Sequence, residues 1–198
     1  MTRAYYISHP QVMQDAATPV PQWTLSQIGF DRLMTLKRAD WVTTLSIIHA
    51  SDERKAIDTA IVLARFADCR IAVHKGMGEN DRSPTGYLAP PEFEATADAF
   101  FASPDVSVRG WERAIDAQAR IVSAIESVLA VHDPLRPLAF SGHGGVGTLL
   151  LCHLMSAPIS RQRDQPPGGG NVFAFDIATR RLLLPWTPLE AVAALPFT

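Results

Sequence analysis

The sequence predicts an α/β fold: a single domain of three layers, α/β/α, with a mostly parallel sheet and helices on both faces. Three observations carry that expectation. Short aromatic or β-branched runs alternate with helical stripes along the chain. The 198 residues, 21.6 kDa and 47% hydrophobic, fit one core. No repeat, low-complexity run or linker divides residues 1–198.

The elements follow in order. Arg3 to Ile7 reads as a strand that Ser8-His9-Pro10 ends, because proline cannot continue it. Ser26 is a plausible N-cap, and Ile28, Leu33 and Leu36 give a helical stripe through Lys37. Leu45 to Ala50 reads as a buried strand; Ser51 then caps a helix with Ile57, Ala60, Ile61 and Ala64 on one face. Cys69 to Val73 is a third strand, and the polar stretch from Lys75 to Pro91 is long for a passive connection. Helices are expected over 91–102 and 111–131, the second with Trp111, Ile115, Ala119, Val122, Ile125 and Leu129 as its stripe. Leu138 to Ser141 is a fourth strand, entering the turn Gly142-His143-Gly144-Gly145 and the apolar helix Val146 to Met155. Two last strands, Asn171 to Asp176 and Arg181 to Leu184, form a hairpin that supplies an antiparallel edge.

Composition narrows function. Eighteen Lys and Arg against 20 Asp and Glu, a pI near 6.3 and a mean hydropathy of +0.05 give no basic field for nucleic acid. The most apolar run, Val146 to Met155, is too short to span a bilayer, and the chain opens on a strand and not a signal peptide, so no membrane partner and a cytoplasmic location are expected. Cys69 and Cys152 have no metal or disulfide spacing and read as core residues.

Ligands of open α/β sheets collect beyond the carboxyl ends of the strands. His9 follows the first strand, the Arg54-Lys55 pair opens the helix after the second, and His143 follows the fourth. Two imidazoles, a cation and free first-turn N–H groups suit a phosphate. A neutral histidine can attack phosphorus while a second histidine and a cation hold the oxygens; Glu79 and Asp81 are candidate acids for the leaving alcohol.

These residues also carry a resemblance. Ile7-Ser-His-Pro10 resembles, in altered form, the Arg-His-Gly signature of the histidine phosphatase (phosphoglycerate mutase-like) superfamily, and Ser141-Gly-His-Gly-Gly-Val146 resembles its second histidine motif. Leu25-Ser-Gln-Ile-Gly29 is similar to its Leu-Thr-x-x-Gly helix start, Ser51 to Ala60 to its Ser-x-x-x-Arg-Ala-x-Gln-Thr-Ala helix, and Glu79-Asn-Asp81 falls where that family carries its acid. The resemblance implies a phosphomonoester hydrolase without metal or other cofactor, acting through a phosphohistidine at His9. His143 is then the transition-state partner and Glu79 the acid, with Asp81 as substitute. Ser8, Arg54, Lys55 and Gly144 are its phosphate-binding positions, and residues 77–104 a lid or insert. Tyr87, Leu88, Phe93, Phe100 and Phe101 there could roof the pocket or simply pack the segment down. The implied ligand is a phosphorylated small molecule or phosphoprotein.

The departures matter as much. Ser8 stands where the family has an arginine, Pro10 replaces a glycine, and strict register puts Lys55, not Arg54, at the second cationic position. One residue of shift turns a helical side chain by about 100°. These losses leave room for an alternative, a degraded member that binds a phosphorylated ligand without turnover; if the pocket is catalytic, Ser8→Arg should raise kcat/KM at least about tenfold. Rival classes fit worse. Gly142 to Gly147 matches G-x-G-x-x-G, but the second strand and acidic residue of a dinucleotide fold are missing. There is no G-x-S-x-G elbow, no P-loop ending, and no third ligand at fixed spacing for zinc on His9 and His143. His49, His74, His132 and His153 read as structural or surface residues.

Overall fold

The computed structural model describes residues 1–193. Six strands, β1 (Arg3–Ser8), β2 (Ile47–Ser51), β3 (Arg70–His74), β4 (Leu138–Gly142), β5 (Asn171–Asp176) and β6 (Leu182–Pro188), form one sheet in the order β3-β2-β4-β1-β5-β6. The first four run parallel, and β5 is antiparallel to both β1 and β6. The expected α/β architecture is what the chain adopts, with the final hairpin closing one edge.

The pleat divides the core. Ala4 and Tyr6 of β1 point to one face with Phe140 and Phe173; Tyr5 and Ile7 point to the other with Ala139 and Val172. The first face is covered by α4 (Pro90–Ala102), α5 (Ala114–Leu129) and α6 (Gly144–Leu154). The second is covered by α1 (Gln27–Met34), α2 (Asp40–Thr43), α3 (Arg54–Ala67) and α7 (Leu189–Val192). Ser26 caps α1 as expected, its hydroxyl accepting the Gly29 N–H at 3.1 Å. The two cysteines are free, Cys152 buried and Cys69 half-buried.

Two helices depart from their expected faces. In α3 the buried set is Lys55, Ala56, Asp58 to Ala60 and Val62 to Ala64, while Ile61 is exposed. The helix begins at Arg54 and is rotated so that Lys55 turns inward. Nor does the helix after the long loop start at Trp111: Arg109 and Gly110 adopt positive φ (54° and 84°), the chain bends, and α5 begins at Ala114. Its inner face is Ala114, Ala117, Ile121, Ile125 and Val128, with Ile115 exposed. Trp111 is instead a buried plug among Phe93 and Phe100, its indole N–H donated to Thr85 Oγ1 at 2.8 Å. The short α2, which buries Trp41 and Val42, carries no cap or periodic signal that sequence could show. The first helix ends at Met34 and finishes in a 3₁₀ turn over Thr35–Arg38.

Candidate active site

Register builds the site. Ser8 lies opposite Gly142 across β1 and β4, and Ala50 lies opposite Ser141 across β2 and β4. The next residues, His9, His143 and Ser51, therefore leave adjacent parallel strands at the same end of the sheet. The His9 and His143 rings stand 5.3 Å apart between centroids, nearly perpendicular at 72°.

Both ends of His9 are pinned, its N–H donating to Gly142 O and its carbonyl accepting from Gly170 N, each at 3.0 Å. Its ring Nδ1 lies 2.9 Å from the Pro10 carbonyl. A carbonyl only accepts, so Nδ1 carries the proton and Nε2 keeps its lone pair. Burial, with the neighbouring His143 and Lys55, pushes the His9 pKa down to about 3, so the ring is neutral at physiological pH.

His143 is fully buried. Its Nε2 is 2.8 Å from Ser51 Oγ and 3.4 Å from Glu53 Oε1, while Nδ1 has no partner among the described residues. A buried ring nitrogen without a partner is costly. Burial lowers the His143 pKa against the opposing pull of Glu53 and Glu79. The Tyr6 hydroxyl fixes its backbone, accepting the His143 N–H at 3.1 Å and lying 3.2 Å from its carbonyl. Gly142 is required here, since a Cβ would sit 2.3 Å from Tyr6 Oη.

Glu79 reaches the first turn of α6, where its carboxylate accepts the N–H groups of Gly145 at 3.1 Å and Val146 at 2.9 Å. The Gly144 N–H is left as the first-turn donor that Glu79 does not take. Burial raises the Glu79 pKa, but Arg82 at 3.4 Å, His143 and the helix N–H groups more than offset it, leaving the carboxyl below its ordinary value and ionised. Arg82 packs its guanidinium against the adjacent Phe93 and Trp111 rings, 5.1 and 5.5 Å from their centroids. Arg120 braces the loop from below, donating to the carbonyls of Gly76, Gly78 and Glu79 while paired with Glu112.

The remaining expected residues separate. Lys55 is buried, its ammonium paired with Glu53 and donating to Val20 O at 3.0 Å, and its charge is felt by both histidines. Arg54 is exposed and bonded to Asp58 one turn on at 2.8 Å, so the one-residue shift carries it away from the Lys55 side. Asp81 is also exposed, its carboxylate accepting the Ser83 N–H. Ser8 is buried and donates to Gln165 Oε1 while accepting from Asn171 N at 3.0 Å. Of the five residues expected to roof the pocket, Phe100 and Phe101 are buried in the core, Leu88 and Phe93 are half-buried, and Tyr87, its ring tilted against Trp23, is exposed.

Sequence reasoning missed Glu53, Gln165 and Asn171. Glu53 sits among ordinary first-turn charges, yet it pairs with Lys55, approaches His143 and accepts the Glu79 N–H at 2.8 Å. Burial opposes its ionisation, but His143 and Lys55 win and bring its pKa to about 2. Gln165 and Asn171 flank a Pro/Gly-rich loop with no chemical signature.

A cavity of about 520 Å³ opens at the opposite end of the sheet, lined by Arg3, Asp40 and Leu135 among others, and holds none of these residues. Among the described residues no group of three or more His, Cys, Asp or Glu could hold a metal ion, and no helix is long and apolar enough to cross a membrane.

The model of the histidine phosphatase superfamily, branch 1, matches residues 21–184. The chain belongs to the histidine phosphatase superfamily. The match begins after His9, so membership rests on the rest of the fold and leaves the altered Ser-His-Pro segment outside it. Three solved structures share the histidine phosphatase fold with this chain. A mycobacterial glucosyl-3-phosphoglycerate phosphatase in complex with inorganic phosphate superposes with a TM-score of 0.77 at 19% identity, covering 96% of this chain and 99% of its own. YhfR of Bacillus stearothermophilus gives 0.75 at 19%, covering 93% and 95%. A putative alpha-ribazole-5'-P phosphatase from Escherichia coli gives 0.73 at 15%, covering 95% and 97%. At this identity the likeness is one of fold. No curated protein matches the chain.

Proposed function

We propose that this superfamily member is a phosphomonoester hydrolase that needs no metal and acts through a phosphohistidine at His9. The supporting observation is the histidine pair: a neutral His9 with its Nε2 lone pair free, 5.3 Å from a buried His143 whose Nδ1 lacks a partner. Nε2 attacks phosphorus and the ester P–O bond breaks. The departing alkoxide takes a proton, and the phosphoryl group rests on His9 until water displaces it as inorganic phosphate. His143 donates to a phosphoryl oxygen through Nδ1, joined by the Gly144 N–H and the third ammonium proton of Lys55, whose other two serve Glu53 and Val20. Glu79 is the acid in this reading. Because it rests ionised, its proton must arrive with a monoanionic substrate or from acidic solvent. The substrate is a phosphorylated small molecule or phosphoprotein met in the cytoplasm, and Tyr87 of the 77–104 segment contributes to its selection.

A second reading keeps the pocket without the turnover. Ser8 brings no charge, and Lys55 is already neutralised by Glu53. Hydrolysis of p-nitrophenyl phosphate in the presence of EDTA separates the two. The hydrolase reading expects turnover that survives chelation, is abolished in His9→Ala, and leaves acid-labile phosphate on the chain after an alkaline quench. Phosphate binding without turnover would establish the binding protein instead.

A further inference from the structure

We infer that Gln165 is a phosphate-binding residue, its side-chain amide standing in for the charged group that Ser8 does not supply; this rests on the phosphate-pocket reading above. Asn171 Nδ2 faces the carbonyls of Pro166 and Gly169 at 3.0 and 3.1 Å, which only accept, so the amide nitrogen lies on that side. The same Nδ2 is 3.0 Å from Gln165 Oε1, which also accepts the Ser8 hydroxyl. Two donors thus fix the Gln165 oxygen inward, and its Nε2 must face the other way. The main chain is held as well, the Gln165 N–H donating to Asp164, whose carboxylate also accepts the Thr148 hydroxyl.

Nε2 comes to rest over the first residue of α6. A Cβ on Gly144 would lie 2.0 Å from it, so only glycine admits this amide. No hydrogen-bond partner for Nε2 occurs among the described residues, and both its N–H donors are available. Gly144 opens α6 with a first-turn N–H that Glu79 does not take, and the residue before it is His143, whose fully buried Nδ1 has no partner among the described residues. The anchor of the whole network, Ser8, is the residue before His9. The serine that breaks the family signature is therefore the hook that holds a neutral donor in the phosphate corner. A neutral amide favours a phosphoryl group of lower charge than an arginine would, in keeping with a pocket whose two cations, Lys55 and Arg82, already face Glu53 and Glu79.

The test uses inorganic phosphate as the probe, its affinity measured by calorimetry and by inhibition of p-nitrophenyl phosphate hydrolysis. Gln165→Ala should weaken phosphate binding by about tenfold and lower kcat by about 10²-fold, the typical effect of removing one preorganised donor. Gln165→Glu keeps the oxygen that Ser8 and Asn171 require, so it should fold; its phosphate affinity relative to the unmutated protein should fall as pH rises above about 4.3, where the new carboxylate ionises. Folded variants that bind phosphate within twofold of the unmutated protein, while His9→Ala still abolishes turnover, would overturn the assignment and leave the hydrolase reading intact. Phosphate bound without turnover, and lost in Gln165→Ala, would overturn the hydrolase reading and support the assignment. A protein that neither binds phosphate nor hydrolyses the ester would overturn both.

Discussion

In the proposed reaction His9 is the nucleophile, and two local features suit it to that role: a carbonyl that captures Nδ1 and a burial that keeps the ring neutral. An ordinary histidine loses nucleophilicity as it protonates near pH 6.5; with a pKa of about 3, His9 keeps its lone pair well below that. The acid limb of kcat/KM on p-nitrophenyl phosphate should accordingly lie below pH 5, and a limb at about 6.5 would show a solvated ring. Ser8 calls for an amended expectation. The buried hydroxyl is committed to Gln165 and Asn171, so Ser8→Arg alone must drive a long side chain into a filled corner. Overpacking of this kind costs about 1–3 kcal/mol. Ser8→Arg should lower Tm with no gain in rate, and a tenfold gain in kcat/KM, measured relative to Gln165→Ala alone, should appear only in the double variant where that substitution makes room, as steady-state kinetics on the single and double variants would reveal.

At the scale of elements, the site depends on how two strand ends and one helix start are clamped. Tyr6 on β1 and Gly142 on β4 meet so closely that Gly142→Ala should destabilise the protein by about 1–3 kcal/mol and reduce kcat more than it changes KM, since it displaces the His143 backbone. Denaturant unfolding beside single-substrate kinetics would test that split. Arg120 of α5 plays a corresponding part for the Glu79 loop, holding three carbonyls with one guanidinium. Charged hydrogen bonds contribute about 1.5–3 kcal/mol, so Arg120→Met should cost stability of that order and lower kcat through a misplaced Glu79. Unchanged kcat in a measurably destabilised Arg120→Met would separate bracing of the fold from positioning of the acid.

For the whole molecule, buried titratable groups give acid sensitivity of predictable sign. The pKa of His9 is depressed to about 3 and that of His49, buried against His74 Nε2 at 2.8 Å, to about 4, from an ordinary 6.5. Between those limits the unfolded chain binds protons that the folded chain does not. Stability fully present above pH 6.5 is therefore lost as pH falls. Glu53, at about 2 against 4.5, adds a loss of the same sign that begins below pH 4.5. Tm should decline from about pH 6.5 downward and more steeply below 4.5, in thermal melts at constant ionic strength. A Tm independent of pH between 7 and 4 would mean that these groups are solvated.

The sequence alone determined the alternation of strands and helices, the final hairpin, and the placing of His9 and His143 just past strand ends. Each follows from local chemistry: period-2 and period-3.6 patterns, proline as a strand stop, a glycine-rich turn before an apolar helix. Tertiary structure decided which charged groups meet. Lys55 turns inward and Arg54 outward because a helix's rotation is set by everything packed on it, which a stripe of Ile57 and Ile61 did not reveal. The partnership of Ser8 with Gln165 spans 157 residues of chain, and that of Glu79 with the start of α6 spans 66 and 67. Such pairs exist only once the mixed sheet has brought β1, β4 and β5 side by side, because hydrogen bonds and charges act over a few ångströms of space and take no account of distance along the chain.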